Sequence, residues 1–338
     1  MPSISQARKL AKRLVLGASE TPQQCPVGMR EPQGEVTVWL HGSGTPRDVT
    51  FRHLMACGAP FTIGVVVDDG DLLPGAGSGG VSLQFRLRRC NERLLGEIAL
   101  KPSAQVDVDG CRLQLFHVGS SRNHCMPALR LWAHYLLYAY RRSQMPSPDV
   151  PITEREMRAM TVFYTAPRPV VLVSVTDGTS ANIFPMNLLG AVGPRHFAFA
   201  LNSKTPVSSL VERSGSVALS SIPIEQAPVA FQLGKNHRRD SIDWQELAFG
   251  TLPSRCFALP VPDFAVRVRE MRVEAANDLG SHTLFVARTI AVEDRNDAPE
   301  FFVVHGIYQA FRAKTLEQGG GWTDDQRSPG NSRFDTSG

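Results

Sequence analysis

Three consecutive residues past the middle of the chain combine a positive charge with hydroxyl groups. Ser203, Lys204 and Thr205 precede a predicted short helix over 205–215, which begins at a Thr-Pro pair and ends at Gly215. A lysine charge, two hydroxyls and the N-terminus of a helix together favour a bound phosphate group. The same residues are also typical of a plain helix cap, and Lys204 of an ordinary surface charge, so local chemistry alone leaves both interpretations open.

A second unusual stretch lies just before this turn. NIFPMNLLGAVGP, residues 182–194, is too apolar for an ordinary loop and too broken by Pro and Gly for a regular helix or strand. It follows a predicted strand that turns through Asp177-Gly178, and such a strand end and loop can offer backbone N–H groups to a flat heteroaromatic ring. Asn182 can instead close the Asp-Gly turn, and Asn187, if buried, can bond to the backbone.

Several catalytic signatures are missing from the second half of the sequence. It contains no G-x-S-x-G, no H-E-x-x-H, no Walker loop and no G-x-G-x-x-G after a strand, which argues against hydrolase, metalloprotease, kinase and Rossmann dehydrogenase chemistry. The six cysteines are scattered without a C-x-x-C pair. We therefore predict no metal site and no dense disulfide framework.

Length and composition set the broad class. A chain of 338 residues with 42% hydrophobic side chains can bury one large core or two smaller ones. The net charge of +4 is too diffuse to favour nucleic acid, although it suits an anionic small ligand. We predict a globular protein of two domains without a nucleic-acid partner.

The first residues mix basic and apolar side chains. ISQARKLAKRLVL, residues 4–16, has them at helical spacing, whereas a signal peptide has a basic start followed by a long apolar run. The pattern indicates a short amphipathic helix, with a membrane-surface anchor as the alternative. No stretch approaches the roughly 18 continuous apolar residues of a membrane span. Together with the scattered cysteines, this predicts a cytoplasmic protein without a membrane partner.

The second half reads as a series of strands with few helices. Five runs are rich in β-branched or aromatic residues and bounded by Gly, Pro, Asn or Asp: 168–175, 196–202, 216–222, 268–276 and 282–294. Many strands and few short helices predict a β-barrel.

The first half has strands of its own and one convincing helix. The predicted strands cover 35–42, 60–68, 81–89 and 94–101. The helix is predicted over 126–142, and its apolar residues Leu129, Trp132, Leu136 and Tyr140 share one face.

The two halves show a faint internal repeat. At one constant offset Val36 aligns with Val170 and Pro60 with Pro194, and both windows run strand, Gly turn, polar loop, apolar segment, Pro, strand. Either a duplication or an unrelated β-rich accessory domain explains this pattern. Because three prolines cluster within 141–154, we place a domain boundary there. The predicted domains are 1–148 and 149–315, followed by a disordered tail over 316–338.

Taken in order, the motifs of the second half resemble a known family, the flavin reductase-like domain with the FMN-binding split-barrel fold. The resemblance covers roughly residues 155–312 and rests on five motifs: APRPVVLVSVTDG, NIFPMNLLGAVGP in place of an Asn-x-x-Pro loop, NSKTPVSSL in place of a Lys-Asp-Thr turn, DLGSHTLFVARTIAVED and VVHGIYQAF. It implies a fold that is mainly β with short helices (α+β). Two tandem barrel-like domains would then form a pseudo-dimer within one chain.

The resemblance also implies a cofactor and its site. It predicts FMN, with FAD as the alternative, reduced by NADH or NADPH. The cofactor-binding residues that it implies are Ser174, Val175, Thr176, Asn182, Pro185, Met186, Asn187, Ser203, Lys204 and Thr205. The catalytic residues that it implies are His282, which faces the flavin, and His305 and Tyr308 near its outer rim or the nicotinamide. We expect one competent site per chain, walled by first-half groups such as His134 or Tyr138.

The function implied is that of an NAD(P)H-dependent flavin oxidoreductase. It would pass electrons to free flavin, a partner monooxygenase or a small organic acceptor, acting as a monomeric pseudo-dimer or as a homodimer. A non-catalytic flavin-binding or storage protein is the alternative. His237, in the segment GKNHRRDSIDW (234–244), is either a solvated loop residue or part of a lid that attracts nicotinamide phosphates.

Overall fold

The computed structural model describes residues 23–30, 34–42, 45–68, 80–88, 92–108, 110–144 and 151–317. The predicted helix at 4–16 and the chain beyond residue 317 lie outside these ranges. The first two residues of the predicted tail are helical, because the last helix ends at Glu317.

Strands from the first half form a seven-stranded antiparallel sheet in the described part of the chain. In chain order the strands of the first half are β1 (Cys25–Met29), β2 (Val36–His41), β3 (Arg47–Asp48), β4 (His53–Cys57), β5 (Thr62–Asp68), β6 (Val81–Leu87), β7 (Arg93–Val108) and β8 (Cys111–Asn123). All but β1 belong to this sheet, in the order β3-β2-β6-β7-β8-β5-β4. Strand β6 shows why these residues form strands, since Val81, Leu83, Phe85 and Leu87 alternate inward and are buried.

The second half forms another seven-stranded antiparallel sheet. The strands of the second half are β9 (Arg168–Pro169), β10 (Val171–Thr176), β11 (Ala181–Met186), β12 (Leu189–Ala191), β13 (His196–Asn202), β14 (Ser216–Ser221), β15 (Thr251–Pro253), β16 (Pro260–Pro262), β17 (Arg267–Asp278), β18 (His282–Asp294) and β19 (Glu300–Val304). Seven of them form this sheet in the order β11-β10-β14-β17-β18-β13-β12, which matches the first sheet strand for strand. The predicted fold class, mainly β with short helices in two barrel-like halves, is confirmed.

Short helices connect and cover the sheets. They are α1 (Ala128–Ser143), α2 (Glu154–Phe163), α3 (Pro206–Ser214), α4 (Ala227–Leu233) and α5 (Gly306–Glu317). Helix α3 begins with a proline and is followed by Gly215 at a left-handed φ of 62°, as the sequence predicts. None of the helices in the described ranges has the length and apolar character needed to cross a bilayer.

The two halves pack through equivalent strands. β4 and β12 occupy the same edge position in their sheets, and these two edge strands contact each other. Gly190 in β12 permits the contact, because a Cβ atom there would lie only 2.8 Å from Leu54 Cβ. The largest core cluster also draws on both halves, with Phe61 and Phe85 from the first and Leu172 from the second.

A small third sheet ties the start of the described chain to its end. β19 pairs with β1 on one side and with β9 on the other. Strand β1 therefore crosses the predicted domain boundary, with Cys25 opposite Val304 and Met29 opposite Glu300. The boundary between residues 148 and 149 stays a prediction.

Buried polar groups also join the halves. Glu35 accepts a hydrogen bond from Arg312 Nε at 2.8 Å and another from the Tyr308 hydroxyl. Arg168 bonds to the His53 ring, and its guanidinium carbon lies 3.9 Å from the centre of the Phe163 ring. Burial and the Arg168 charge hold the pKa of His53 well below its usual range, so His53 is the neutral acceptor for that cation.

Candidate functional site

The turn at 203–205 is built by the last residue of β13. Asn202 Oδ1 accepts from Lys204 N at 3.0 Å, and Asn202 O accepts from Thr205 N at 3.0 Å and from its hydroxyl at 2.6 Å. This compact turn leads directly into α3, whose first turn contains Pro206. Since the Thr205 hydroxyl is bonded backwards to Asn202, no side chain caps the start of α3.

An open polar pocket of about 420 Å³ lies at this turn. It is lined by Ser180, Ser203, Lys204, Thr205, Pro206, Ser209, Arg213 and Asp240. Two cations and several hydroxyls thus surround the uncapped helix start. That combination suits the phosphate end of a ligand, because helix N–H groups and charged donors both stabilise an anion.

Asp177 fixes one wall of the pocket. Its carboxylate accepts from Ser180 N at 2.8 Å and Thr179 N at 3.0 Å, and from Arg213 Nε at 3.0 Å. The bond from Ser180, together with those from Thr179 and Arg213, holds the pKa of Asp177 far below its usual range. The ionised carboxylate thereby orients Arg213, which lines the pocket.

The three predicted residues of β10 are divided between interior and pocket. Ser174 and Val175 are fully buried, and the Ser174 hydroxyl has no partner among the described residues. Thr176 lies at the end of the strand and donates to the carbonyl of Ser180, a pocket residue, at 2.9 Å. Of these three side chains, Thr176 is the one positioned beside the pocket.

The stretch that begins at Asn182 forms a strand and holds a neighbouring loop. β11 pairs with β10, and the Asn182 side-chain N–H groups donate to the carbonyls of Asn236 at 3.1 Å and Arg239 at 3.0 Å. In return Asn236 donates to Ile183 O at 2.8 Å. Asn182 is therefore bound to the 236–239 backbone, an arrangement that neither sequence interpretation included.

His237 also binds β11, beside the contacts between Asn182 and the 236–239 backbone. Its Nε2 lies 2.8 Å from Pro185 O, and its ring packs on Phe184 at 4.8 Å between centroids. Burial lowers the pKa of His237, so the neutral ring donates from Nε2 to that carbonyl. His237 is thus a half-buried structural contact, while Lys235, Arg238 and Arg239 beside it are exposed.

The last two predicted residues of this stretch also face protein. Met186 is buried in the second-half core cluster. Asn187 hydrogen-bonds the buried Tyr164 hydroxyl, so its partner is a side chain rather than the backbone.

His282 lies beside the pocket turn and touches the first half of the chain. It is paired with Asn202 in the sheet, and Ser203 N donates to the carbonyl of the adjoining Ser281 at 3.1 Å. From the first half, Gly58 N donates to His282 Nδ1 at 3.2 Å. Ala59 N donates to Ser281 Oγ at 2.9 Å, and that hydroxyl lies 2.7 Å from the same Nδ1.

These donors determine the form of the imidazole. Because Gly58 N–H can only donate, Nδ1 of His282 is an acceptor and the ring proton is on Nε2. Burial lowers the pKa of His282 to about 4, which keeps the ring neutral at pH 7. The first half therefore holds His282 as a neutral Nε2–H tautomer beside the turn 203–205.

The other two predicted catalytic residues lie in the core. His305 is buried, packs its ring 6.0 Å from that of Tyr138, and accepts from Ile307 N at 3.1 Å. Burial, with His134 nearby, lowers the pKa of His305 to about 3. Tyr308 is fully buried and donates to Glu35. Neither lines the pocket, and His134 and Tyr138 face this core rather than the pocket.

Sequence reasoning missed the first-half turn and part of the pocket. Cys57, Gly58 and Ala59 supply the contacts to 279–282, and Arg213 and Asp240 line the pocket. The turn ends at Pro60, which the repeat had aligned with Pro194, so the repeat was the available signal. No group of three or more His, Cys, Asp or Glu side chains in the described ranges is placed to hold a metal ion.

One family model matches the second half of the chain. Residues 163–311 match the model of the flavin reductase like domain. The match contains β9 to β19 and the pocket turn. No curated protein matches the chain.

The solved structures that match part of the chain include three flavin proteins. An NADH:FAD oxidoreductase, SgcE6 of Streptomyces globisporus C-1027, is 18% identical, with 48% of this chain and 95% of that one covered and a TM-score of 0.41. BorF, the flavin reductase component of a bacterial two-component tryptophan halogenase, is 20% identical, with 44% and 92% covered and a TM-score of 0.39. An FMN-binding protein from Thermus thermophilus with bound p-hydroxybenzaldehyde is 22% identical, with 38% and 73% covered and a TM-score of 0.35.

Proposed function

We propose that the pocket at 203–205 binds FMN, with FAD as the alternative, and that the chain reduces the bound flavin with NADH or NADPH. The electrons then pass to free flavin, a partner monooxygenase or a small organic acceptor. The observation that carries this proposal is the position of Lys204 and Arg213 at an uncapped helix start, next to His282, within the residues that match the flavin reductase like domain.

The residues present fit the phosphate end of such a cofactor. A flavin phosphate is an anion, and Lys204, Arg213 and the N-terminus of α3 supply positive charge and N–H donors. A pocket of about 420 Å³ falls within the usual size range of small-ligand sites. Asp240, which also lines the pocket, disfavours an anion beside it, and the phosphate is expected next to the start of α3.

A bound flavin supplies the hydride chemistry itself. The chain contributes position and polarity: the turn 203–205 holds the phosphate, and His282 presents an N–H donor that stays neutral across the physiological pH range. The first-half turn 57–59 covers Ser281 and His282 from the other side.

Flavin binding without turnover is the second candidate. It is favoured by one observation, the burial of His305 and Tyr308 away from the pocket. Of the three predicted catalytic side chains, His282 is the one that lies beside the turn 203–205. A storage protein would keep the phosphate cradle and lack hydride transfer.

Anaerobic absorbance spectra separate the two candidates. The purified protein is titrated with FMN and FAD, and then with NADH or NADPH. Bleaching of the flavin band near stoichiometric nicotinamide supports the reductase, while a stable yellow protein that does not bleach supports binding alone. A protein that takes up neither flavin at micromolar concentration contradicts both.

A further inference from the structure

Helix α1 presents apolar residues on two opposite faces. Its inner face buries His134, Tyr135 and Tyr138. Its outer face carries the four residues that the sequence placed together, and they are exposed: Leu129 by 77%, Trp132 by 56%, Leu136 by 50% and Tyr140 by 64%. We call these four residues the outer stripe. Nothing in the described part of the chain covers it.

The charged residues of α1 also differ from those of a typical solvent-facing helix. Its charged residues are Arg130, Arg141 and Arg142, and it contains no Asp, Glu or Lys. A helix that is apolar nearly all round is normally buried on both sides. Exposed contiguous apolar surface rimmed by polar groups marks an interaction site.

We propose that the outer stripe is the interface through which two copies of this chain form a homodimer. The stripe is self-complementary about a two-fold axis near the middle of α1. In an antiparallel pair, Leu129 meets the partner's Tyr140 and Trp132 meets the partner's Leu136. Each aromatic ring thus packs on a leucine, and the isologous contact closes as a dimer.

The available area agrees with a dimer. From the exposed fractions, with roughly 150–250 Å² for a large side chain, the stripe offers about 500 Å² per copy. Ala133, Leu137 and Ala139 extend the same side of the helix. Two copies of the stripe would bury about 1,000 Å² in total, at the lower end of the range for a specific interface.

The composition of α1 favours a protein partner, and the self-complementary stripe favours a second copy. Trp, Tyr and Arg are enriched at protein interfaces, whereas Lys, Glu and Asp are depleted, as on α1. Arg130 and Arg141 lie at the rim on one flank, and an antiparallel pair brings Arg130 near the partner's Arg141. That repulsion is screened by salt, so the dimer is expected to tighten as salt rises. Binding to an acidic bilayer would weaken instead.

Sedimentation equilibrium of the full chain tests the proposal. From 1 to 100 µM protein we expect a monomer–dimer equilibrium whose Kd falls between 50 and 500 mM NaCl. Trp132→Glu and Leu136→Glu are each expected to raise Kd at least 100-fold. Leu252→Glu, at another exposed leucine, is the matched control and leaves Kd unchanged. Circular dichroism melting verifies that each variant is folded.

Three results would overturn the proposal. The first is a wild-type chain that stays monomeric at 100 µM, and the second is a dimer whose Kd both stripe variants leave unchanged. The third is co-sedimentation of the monomer with phosphatidylglycerol vesicles that is lost in Trp132→Glu, since a bilayer would then be the occupant. These measurements do not involve flavin and are independent of the proposed function.

Discussion

Lys204 is the residue on which the proposed phosphate site depends most directly. We expect Lys204→Ala to weaken FMN binding by about tenfold or more, because one charge-assisted contact to the phosphate is lost. Flavin fluorescence quenching measures the change in Kd. Lys101→Ala, at an exposed lysine of β7 outside the pocket, is the control and should bind FMN as the wild type does. Equal affinity of both variants would place the phosphate elsewhere.

The Ser281 hydroxyl lies 2.7 Å from Nδ1 of His282. Ser281→Ala removes the hydroxyl between Ala59 N and His282 Nδ1. The neutral imidazole then loses a hydrogen-bond donor, and the pKa of His282 should rise from about 4 by roughly one unit. NMR titration of the ring measures it, with Ser209→Ala as the control. An unchanged pKa would mean that Gly58 alone sets the tautomer.

Single residues were predictable from the sequence only where their chemistry is local. Ser203, Lys204 and Thr205 depend on the helix that follows them directly, and the structure places all three in one pocket. Asn182 depends on Asn236 and Arg239, which are 54 and 57 residues away and have no pattern of their own. Contacts of that separation come from tertiary packing, which periodicity does not encode.

At the scale of elements, the start of α2 joins the two halves. Glu156 completes a capping box with Thr153 and also accepts from Phe61 N at 2.8 Å. We expect Glu156→Ala to lower the free energy of unfolding by about 2 kcal/mol, because the cap is lost and a buried N–H is left without an acceptor.

Urea denaturation measures this loss. The matched control is Glu154→Ala, in the same first turn, whose exposed ion pair with Arg158 contributes little. A loss shared equally by the two variants would point to helix charge alone and contradict the role of Phe61.

Strands and helices could be predicted where the spacing of their apolar residues was clear. Which neighbours cover each element could not be predicted. The runs at 196–202 and 282–294 form β13 and β18 with the predicted bounds. β11 was missed as a strand because Pro185 breaks its pattern, although an edge strand tolerates proline. For α1 the period was correct, but a helix that is apolar on both sides does not reveal which face is covered.

For the whole molecule, buried histidines couple folding to pH. The pKa values of His282 and His305 in the fold are about 4 and about 3, below the ordinary value of 6.5. At pH values between the folded pKa of each histidine and 6.5, the unfolded chain binds more protons than the folded chain. The contribution of these histidines to stability is therefore complete above pH 6.5 and is lost as the pH falls. We expect the free energy of unfolding to drop by at least about 3 kcal/mol between pH 6.5 and 4.5.

Denaturant melts across this pH range measure the slope. His305→Asn retains an acceptor at the start of α5 and removes one titrating group, so it should flatten the profile. His124→Gln, at an exposed histidine, is the control variant. A His305→Asn profile parallel to that of the wild type would exclude His305 as a source of the pH dependence.

The pairing of β1 with β19 has a consequence for the integrity of the molecule. A cut introduced between residues 144 and 151 would leave an N-terminal fragment that still contributes a strand beside β19 and side chains to the shared core. The severed pieces should stay associated through gel filtration and separate only in denaturant. The two halves therefore do not need an intact backbone between them to stay assembled. We expect the two separated fragments to reassemble when they are mixed.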